Sequence, residues 1–282
     1  MKKYPFILIL IILSSISFNN LFAGAWTQKK NSGFYKLGLR YINTTNVYDK
    51  DGNKVEVPKL KNLFLALYGE YGINDQFTLI TNLSLLESIK IEDQIDNGSI
   101  VSKGGSNSGI ADSEIGLRYR IWQGEGSIIS TELILGLPIG DTDNKMKLYT
   151  GDGEFNQIIN ILFGQSFYPL PLYLSAQVGF NNRTGGFSDE IRYAAEIGFS
   201  FIPSVLFAFK INGTQSLENG NETVLGGGYG FHSNDQKYLA FGPELSYSIT
   251  KSFGLTLGIE SATNAANVPS ALAYSFGVYF KN

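Results

Sequence analysis

Residues 109–122 (GIADSEIGLRYRIW) read as two interleaved sequences. Asp112, Glu114, Arg118 and Arg120 share one parity, and Ile115, Leu117, Tyr119 and Ile121 share the other. Strict period two predicts a strand, because successive side chains point to opposite faces. The same pattern recurs along the chain and predicts strands at 33–44, 60–73, 76–89, 110–122, 127–138, 155–167, 171–181, 189–202, 204–216, 237–249, 253–263 and 270–281. One parity is strongly apolar, as in Leu63, Leu65 and Leu67, or Phe253, Leu255, Leu257 and Ile259, and the other is small or polar almost throughout.

The predicted connections alternate in length. Those at 74–75, 123–126, 168–170, near Pro203 and at 250–252 are short. Those at 45–59, 90–109, 139–154, 182–188, 217–236 and 264–269 are longer. Oily outward faces, wet inward faces and turns alternating with loops predict a closed antiparallel transmembrane β-barrel, all-β, with short periplasmic turns and longer extracellular loops. In lipid every backbone group must be paired, so such a sheet closes on itself. The expected count is 12 strands, with 14 as the alternative. A soluble sandwich would also alternate, but about twelve strands would make it unusually large.

The N-terminus adds a location. Lys2 and Lys3 precede an unbroken apolar run from Phe6 to Leu13, and Ala23-Gly24-Ala25 is a small-x-small cleavage pattern. This predicts a secretory signal peptide over 1–25 and a mature barrel over 26–282. Losing the two lysines takes the formal charge from −3 to −5. The expected home is the outer membrane of a Gram-negative-type bacterium, with its lipids as partners. Net negative charge argues against nucleic acid as a partner. The composition agrees: 32 Gly, 20 Phe and 16 Tyr with 8 Pro suit strands, turns and an aromatic belt. There is no cysteine, hence no disulfide framework or thiolate metal site.

Chemistry is sparse. The one histidine, His232, lies in a loop, no serine stands in a Gly-x-Ser-x-Gly setting, and an enzyme is not expected. No cofactor is expected, and no metal site is assigned. Asp49, Asp51 and Asn53 around Gly52 look like half of a calcium loop without its distal glutamate, and GDTDN at 140–144 reads first as a turn. Tyr149 and Tyr229 are placed to contact a ligand or to cap the barrel mouth.

The candidate functional set is the charge that parity sends inward. It comprises Lys36, Arg40, Glu70, Asp112, Glu114, Arg118, Arg120, Glu132, Glu190, Arg192, Glu196, Lys210, Glu244 and Glu260. Polar lumens set what a pore passes, although opposite charges also pair as packing. Even register sums at the turns predict Glu196 opposite Lys210 and Arg118 opposite Glu132. Ser130 is expected on the lumen face, where an arginine would be tolerated better than at Leu117.

Several stretches resemble a known family: GAWTQKK (24–30), GIADSEIGLRYRIW (109–122) with LILGLPIGD (133–141), TGDGEFNQ (150–157), GFNNRTGGFSDEIRY (179–193) and INGTQS (211–216). They are similar to outer-membrane proteins described as transporters related to the meta-pathway of phenol degradation. The resemblance implies a β-barrel that passes small compounds, apolar or aromatic among them, and it carries over no catalytic residue. The fatty-acid transport barrels are similar more loosely, but no long N-terminal hatch is evident here. Three functions stay open: a channel for small solutes of unknown identity, a structural or surface-interaction barrel with a plugged lumen, and a lipid-active enzyme.

Overall fold

A computed structural model describes residues 24–97 and 99–282. The first 23 residues, and with them nearly all of the expected signal peptide, lie outside the described residues. The strands are β1 (Gly33–Tyr48), β2 (Lys54–Gly72), β3 (Phe77–Ile91), β4 (Gln94–Asp96), β5 (Ser99–Ser102), β6 (Gly105–Gly109), β7 (Ser113–Gln123), β8 (Ser127–Leu137), β9 (Asn156–Ser166), β10 (Leu172–Arg183), β11 (Glu190–Ile202), β12 (Val205–Ser216), β13 (Lys237–Ser248), β14 (Phe253–Ala266), β15 (Val268–Pro269) and β16 (Leu272–Lys281).

Twelve of these close a barrel. Each long strand pairs antiparallel with the next, and β1 pairs with both β2 and β16. The small strands are additions at the loop end: β4 and β5 form a separate hairpin, β6 pairs with β3, and β15 pairs with β1. Both ends of the barrel strands meet on the turn side, where Asn282 donates its backbone N–H to the Gly33 carbonyl. That is what an even strand number requires.

Two features differ from expectation. The stretch 45–59, expected as a loop, is mostly an extension of β1 and β2 that leaves only 49–53 between them. Asp49 accepts backbone N–H groups from Asp51 and Asn53, so its carboxylate caps a tight turn. In β3 the pairing jumps from Leu65 opposite Leu86 to Ala66 opposite Ser84, skipping Leu85. One extra residue exchanges the faces of everything beyond it. Ile89 and Ile91 consequently point inward and are buried, although the parity of the first half of β3 sends odd residues outward.

The interior is polar in the middle and apolar near its ends. At the loop end Ile42, Leu60, Ile89 and Ile91 pack with Leu148 and Phe231 from the loops. Tyr229 joins this cluster, so it caps the mouth. At the turn end Ile128 and Leu162 pack with Ala25.

The outer face is a continuous apolar surface. Leu79, Leu117 and Leu133 stand opposite one another on β3, β7 and β8, and Leu117 and Leu133 are both exposed. An arginine at Leu117 should cost roughly 2–4 kcal/mol, the range for a cation at mid-bilayer on a barrel's outer face. Gln177, which lines the interior, should accept arginine far better. The fraction of each variant that runs as the compact, heat-modifiable band on a gel checks this. Ser130 is not the mild site that its parity suggests. It does face inward, but it is fully buried and its Oγ donates to the Ala25 carbonyl at 2.6 Å.

Candidate functional site

Among the described residues, the lumen contains a cavity of about 490 Å³ towards the turn end and one of about 570 Å³ towards the loop end. Asn82, Glu114 and Asn212 line both and mark where they meet.

Around the lower cavity the charges form two ladders. On one wall Lys36 Nζ lies 2.9 Å from Glu244, Glu244 lies 2.8 Å from Lys210, and Lys210 lies 3.5 Å from Glu196. The Tyr173 hydroxyl donates to Glu196 and ends the row. Glu196 stands opposite Lys210, the expected register. On the other wall Arg118 Nε lies 2.6 Å from Glu132, its expected cross-strand partner, and Nη1 lies 3.1 Å from Glu70. Tyr68 donates to Glu70, and Asn160 donates to Glu132. Such cross-strand pairs stabilise a sheet by roughly 0.2–1 kcal/mol each, and here they also narrow the passage. Aromatic rings from Phe34, Tyr68, Tyr173 and Tyr279 complete the wall.

The upper cavity is more acidic. Arg40, Asp112, Glu114, Glu190, Arg192 and Glu260 line it as parity predicts. Arg192 bridges Glu114 at 3.4 Å and Glu190 at 3.2 Å. Sequence reasoning missed Arg183, which sits in a nest of carboxylates: Asp152 at 2.9 Å, Glu154 at 2.7 Å and Glu190 at 2.8 Å. It lies at the last residue of β10, where the alternation stops being informative. Glu87 was hidden by the β3 bulge, which turns it inward. It meets His232 of the 217–236 loop, Nε2 to Oε2 at 2.7 Å.

Of the expected set, Arg120 and Glu70 do not line either cavity. Arg120 donates to Gln123 near the turn, and Glu70 is buried behind Arg118. The acids lining the two cavities are Glu87, Asp112, Glu114, Glu132, Asp152, Glu190, Glu196, Glu244 and Glu260. The bases are Lys36, Arg40, Arg118, Arg183, Arg192 and Lys210, with His232 besides. Nine against six leaves the passage net negative.

Residues 24–28 also occupy the interior at the turn end, and no periodicity announces them. The Trp26 ring stands edge-on to Tyr173 with centroids 6.2 Å apart. Arg118 donates to the Trp26 carbonyl at 2.7 Å, and Gln28 donates to Glu70 at 2.6 Å. Gly164 permits this seat: a Cβ there would fall 2.7 Å from the indole ring.

His232 and Asp112 make the loop end sensitive to pH. Burial alone would lower the His232 pKa. The hydrogen bond and charge of Glu87 outweigh it, with Asp152 and Asp112 adding, and the pKa rises above 6.5. Asp112 is pushed up to about 6, chiefly by burial, against the pull of backbone N–H groups from Gly140 and Asp152. Both groups bind a proton more tightly in this folded loop arrangement than in water. Their contribution to its stability is therefore present at low pH and is lost as pH rises through these raised values. We expect the 217–236 loop to exchange its amide hydrogens more slowly at pH 5.5 than at pH 8.5, after correction for intrinsic rates. His232→Gln should shrink the difference, and Asp112→Asn separates the share that the carboxyl contributes.

Comparison with known proteins places this geometry. The family model described as "Putative MetA-pathway of phenol degradation" matches residues 44–277. No curated protein matches the chain. Among solved structures, the outer membrane channel from Pseudomonas putida F1 is similar with TM-score 0.67 and 13% identity, covering 93% of this chain and 100% of that one. The NanC porin is similar with TM-score 0.53 and 10% identity, covering 87% and 100%. The KdgM porin is similar with TM-score 0.50 and 8% identity, covering 87% and 98%. At these identities the likeness is one of fold: a closed outer-membrane barrel.

Proposed function

The chain belongs to the MetA-pathway of phenol degradation family, and from that premise we propose that it is an outer-membrane channel for small solutes with an apolar or aromatic body. The observation that carries this reading is the pair of adjoining cavities inside the barrel, bounded by charge ladders and aromatic rings. The turns face the periplasm and the loops face outward, the usual arrangement of such barrels. The rings of Phe34, Tyr68, Tyr173 and Tyr279 offer faces on which a flat solute can rest. The acidic balance of the lumen favours cations over anions among charged species.

Planar-bilayer recording on the purified protein tests the reading. We expect a small, salt-dependent conductance with cation preference. Glu196→Gln with Lys210→Met should raise it by removing one rung of the ladder, since the pair lies 3.5 Å apart and projects into the passage. Vesicle uptake should favour phenol-like solutes over sugars of similar size. An absence of conductance in both the native protein and the double variant would instead identify a plugged structural barrel.

A further inference from the structure

Gly24 and Ala25 are integral parts of the barrel's interior. Gly24 adopts φ +133°, a region that side chains disfavour, and a Cβ on it would fall 2.5 Å from Ser175 Oγ. Ala25 is fully buried against Ile128 and Leu162. Its carbonyl accepts the hydroxyl of Ser130, which is itself fully buried. Removing Ala25 would leave that hydroxyl without its partner inside the barrel, a cost that a new N-terminus must bear.

Two cleavage positions share Ala23 as a small residue, and they place the new α-ammonium in opposite surroundings. A cut after Ala25 would create it on Trp26. There it would stand beside Ile128 and Leu162, one residue's length from the Arg118 guanidinium that already holds the Trp26 carbonyl at 2.7 Å. A cation in an apolar corner next to a buried arginine is unfavourable on both counts. A cut after Ala23 would create it on Gly24, which lines the lower cavity together with Glu196 and Glu244. Gly24 abuts Ser175, and Ser175 is the cross-strand partner of Glu196.

From this contrast we infer that the leader is cut between Ala23 and Gly24, and that the mature N-terminal ammonium sits inside the lumen on the Glu196 side. The expected signal peptide of 1–25 is then two residues too long. The inference rests on the reading that the chain is exported.

N-terminal sequencing and intact mass of the protein recovered from outer membranes test it. The expected first residue is Gly24. Trp26 as the first residue would overturn the inference while leaving export intact, and a retained leader would overturn both. Paired variants give a second readout that does not depend on folding, because processing precedes barrel assembly. Ala23→Leu should leave precursor uncut, since leucine replaces the small residue on the leader side of the cut. Ala25→Leu should be processed normally. Ala23→Leu blocks either cut, so Ala25→Leu is the discriminating variant, and its retention as uncut precursor would defeat the inference. The placement is read separately: an amine-acylating reagent too bulky for the lumen should spare the Gly24 amine in the folded barrel and modify it after heat unfolding. Equal modification in both states would overturn the lumen position.

Discussion

Arg118→Met should be among the most destabilising single substitutions in this barrel, at about 3–5 kcal/mol, the usual cost of stranding partners of a buried ion pair. The Arg118 side chain is 3% exposed, and its two partners are no better hydrated, with Glu70 at 0% and Glu132 at 5%. Without the guanidinium, two carboxylates from β2 and β8 face each other across β7's vacated position with no cation between them. The Trp26 carbonyl loses its donor as well. Two buried carboxylates without their cation repel each other, so the packing of these strands loosens. Unfolding by urea from detergent micelles measures the loss. The triple variant Arg118→Met, Glu70→Gln, Glu132→Gln should recover a large part of it, because neutral amides can bond with Tyr68 and Asn160, the present partners. A single variant as stable as the native protein, or a triple variant no better than the single, would show that the charge network does not carry this energy.

Of the two ion pairs of Arg118, the one with Glu132 is legible in the sequence and the one with Glu70 is not. Parity and the tight turn at 124–126 set Arg118 opposite Glu132, because one residue of slip would exchange the faces of an entire strand. The same logic sets Glu196 opposite Lys210. Strand positions and the closed barrel are legible for the same reason: lipid outside and water inside impose a period of two on every spanning segment. Alternation says nothing about position around the barrel, however. The proximity of Glu70 to Arg118 is set by β3 lying between β2 and β7 and by side-chain reach. Glu87 eluded parity because an extra residue at Leu85 exchanges the faces of β3, and the Leu85-Leu86 doublet was the available signal. Ser130 was assigned to the correct face, yet what covers it comes from residue 25, which belongs to no repeating element. Loops obey no period at all, so the inward fold of 217–236 and its His232–Glu87 contact were out of reach.

Trp26→Ala should raise the open conductance several-fold. The 24–28 segment is held at the turn end by hydrogen bonds, those of Thr27 to Asp75 and Gln28 to Thr78 among them, and by one large ring. Its bonds from Arg118, Ser130 and Gln28 contribute on the order of 0.5–1.5 kcal/mol each, more where a charged group takes part. Truncating a fully buried tryptophan costs roughly 3–5 kcal/mol, and Trp26 is only partly buried, so its loss falls below that range while still exceeding any single neutral bond. The segment would then leave its seat for a larger share of the time. Gly164→Val attacks the same seat from the wall, since a Cβ there meets the indole at 2.7 and 2.8 Å. Combining the two should give little more than the larger single effect, because both disable one contact. Phe163→Leu, next door but exposed on the outer face, should leave conductance unchanged and controls for disturbance of β9. Native conductance in both Trp26→Ala and Gly164→Val would show that the segment does not limit the passage, and the lower charge ladder would become the narrowest barrier.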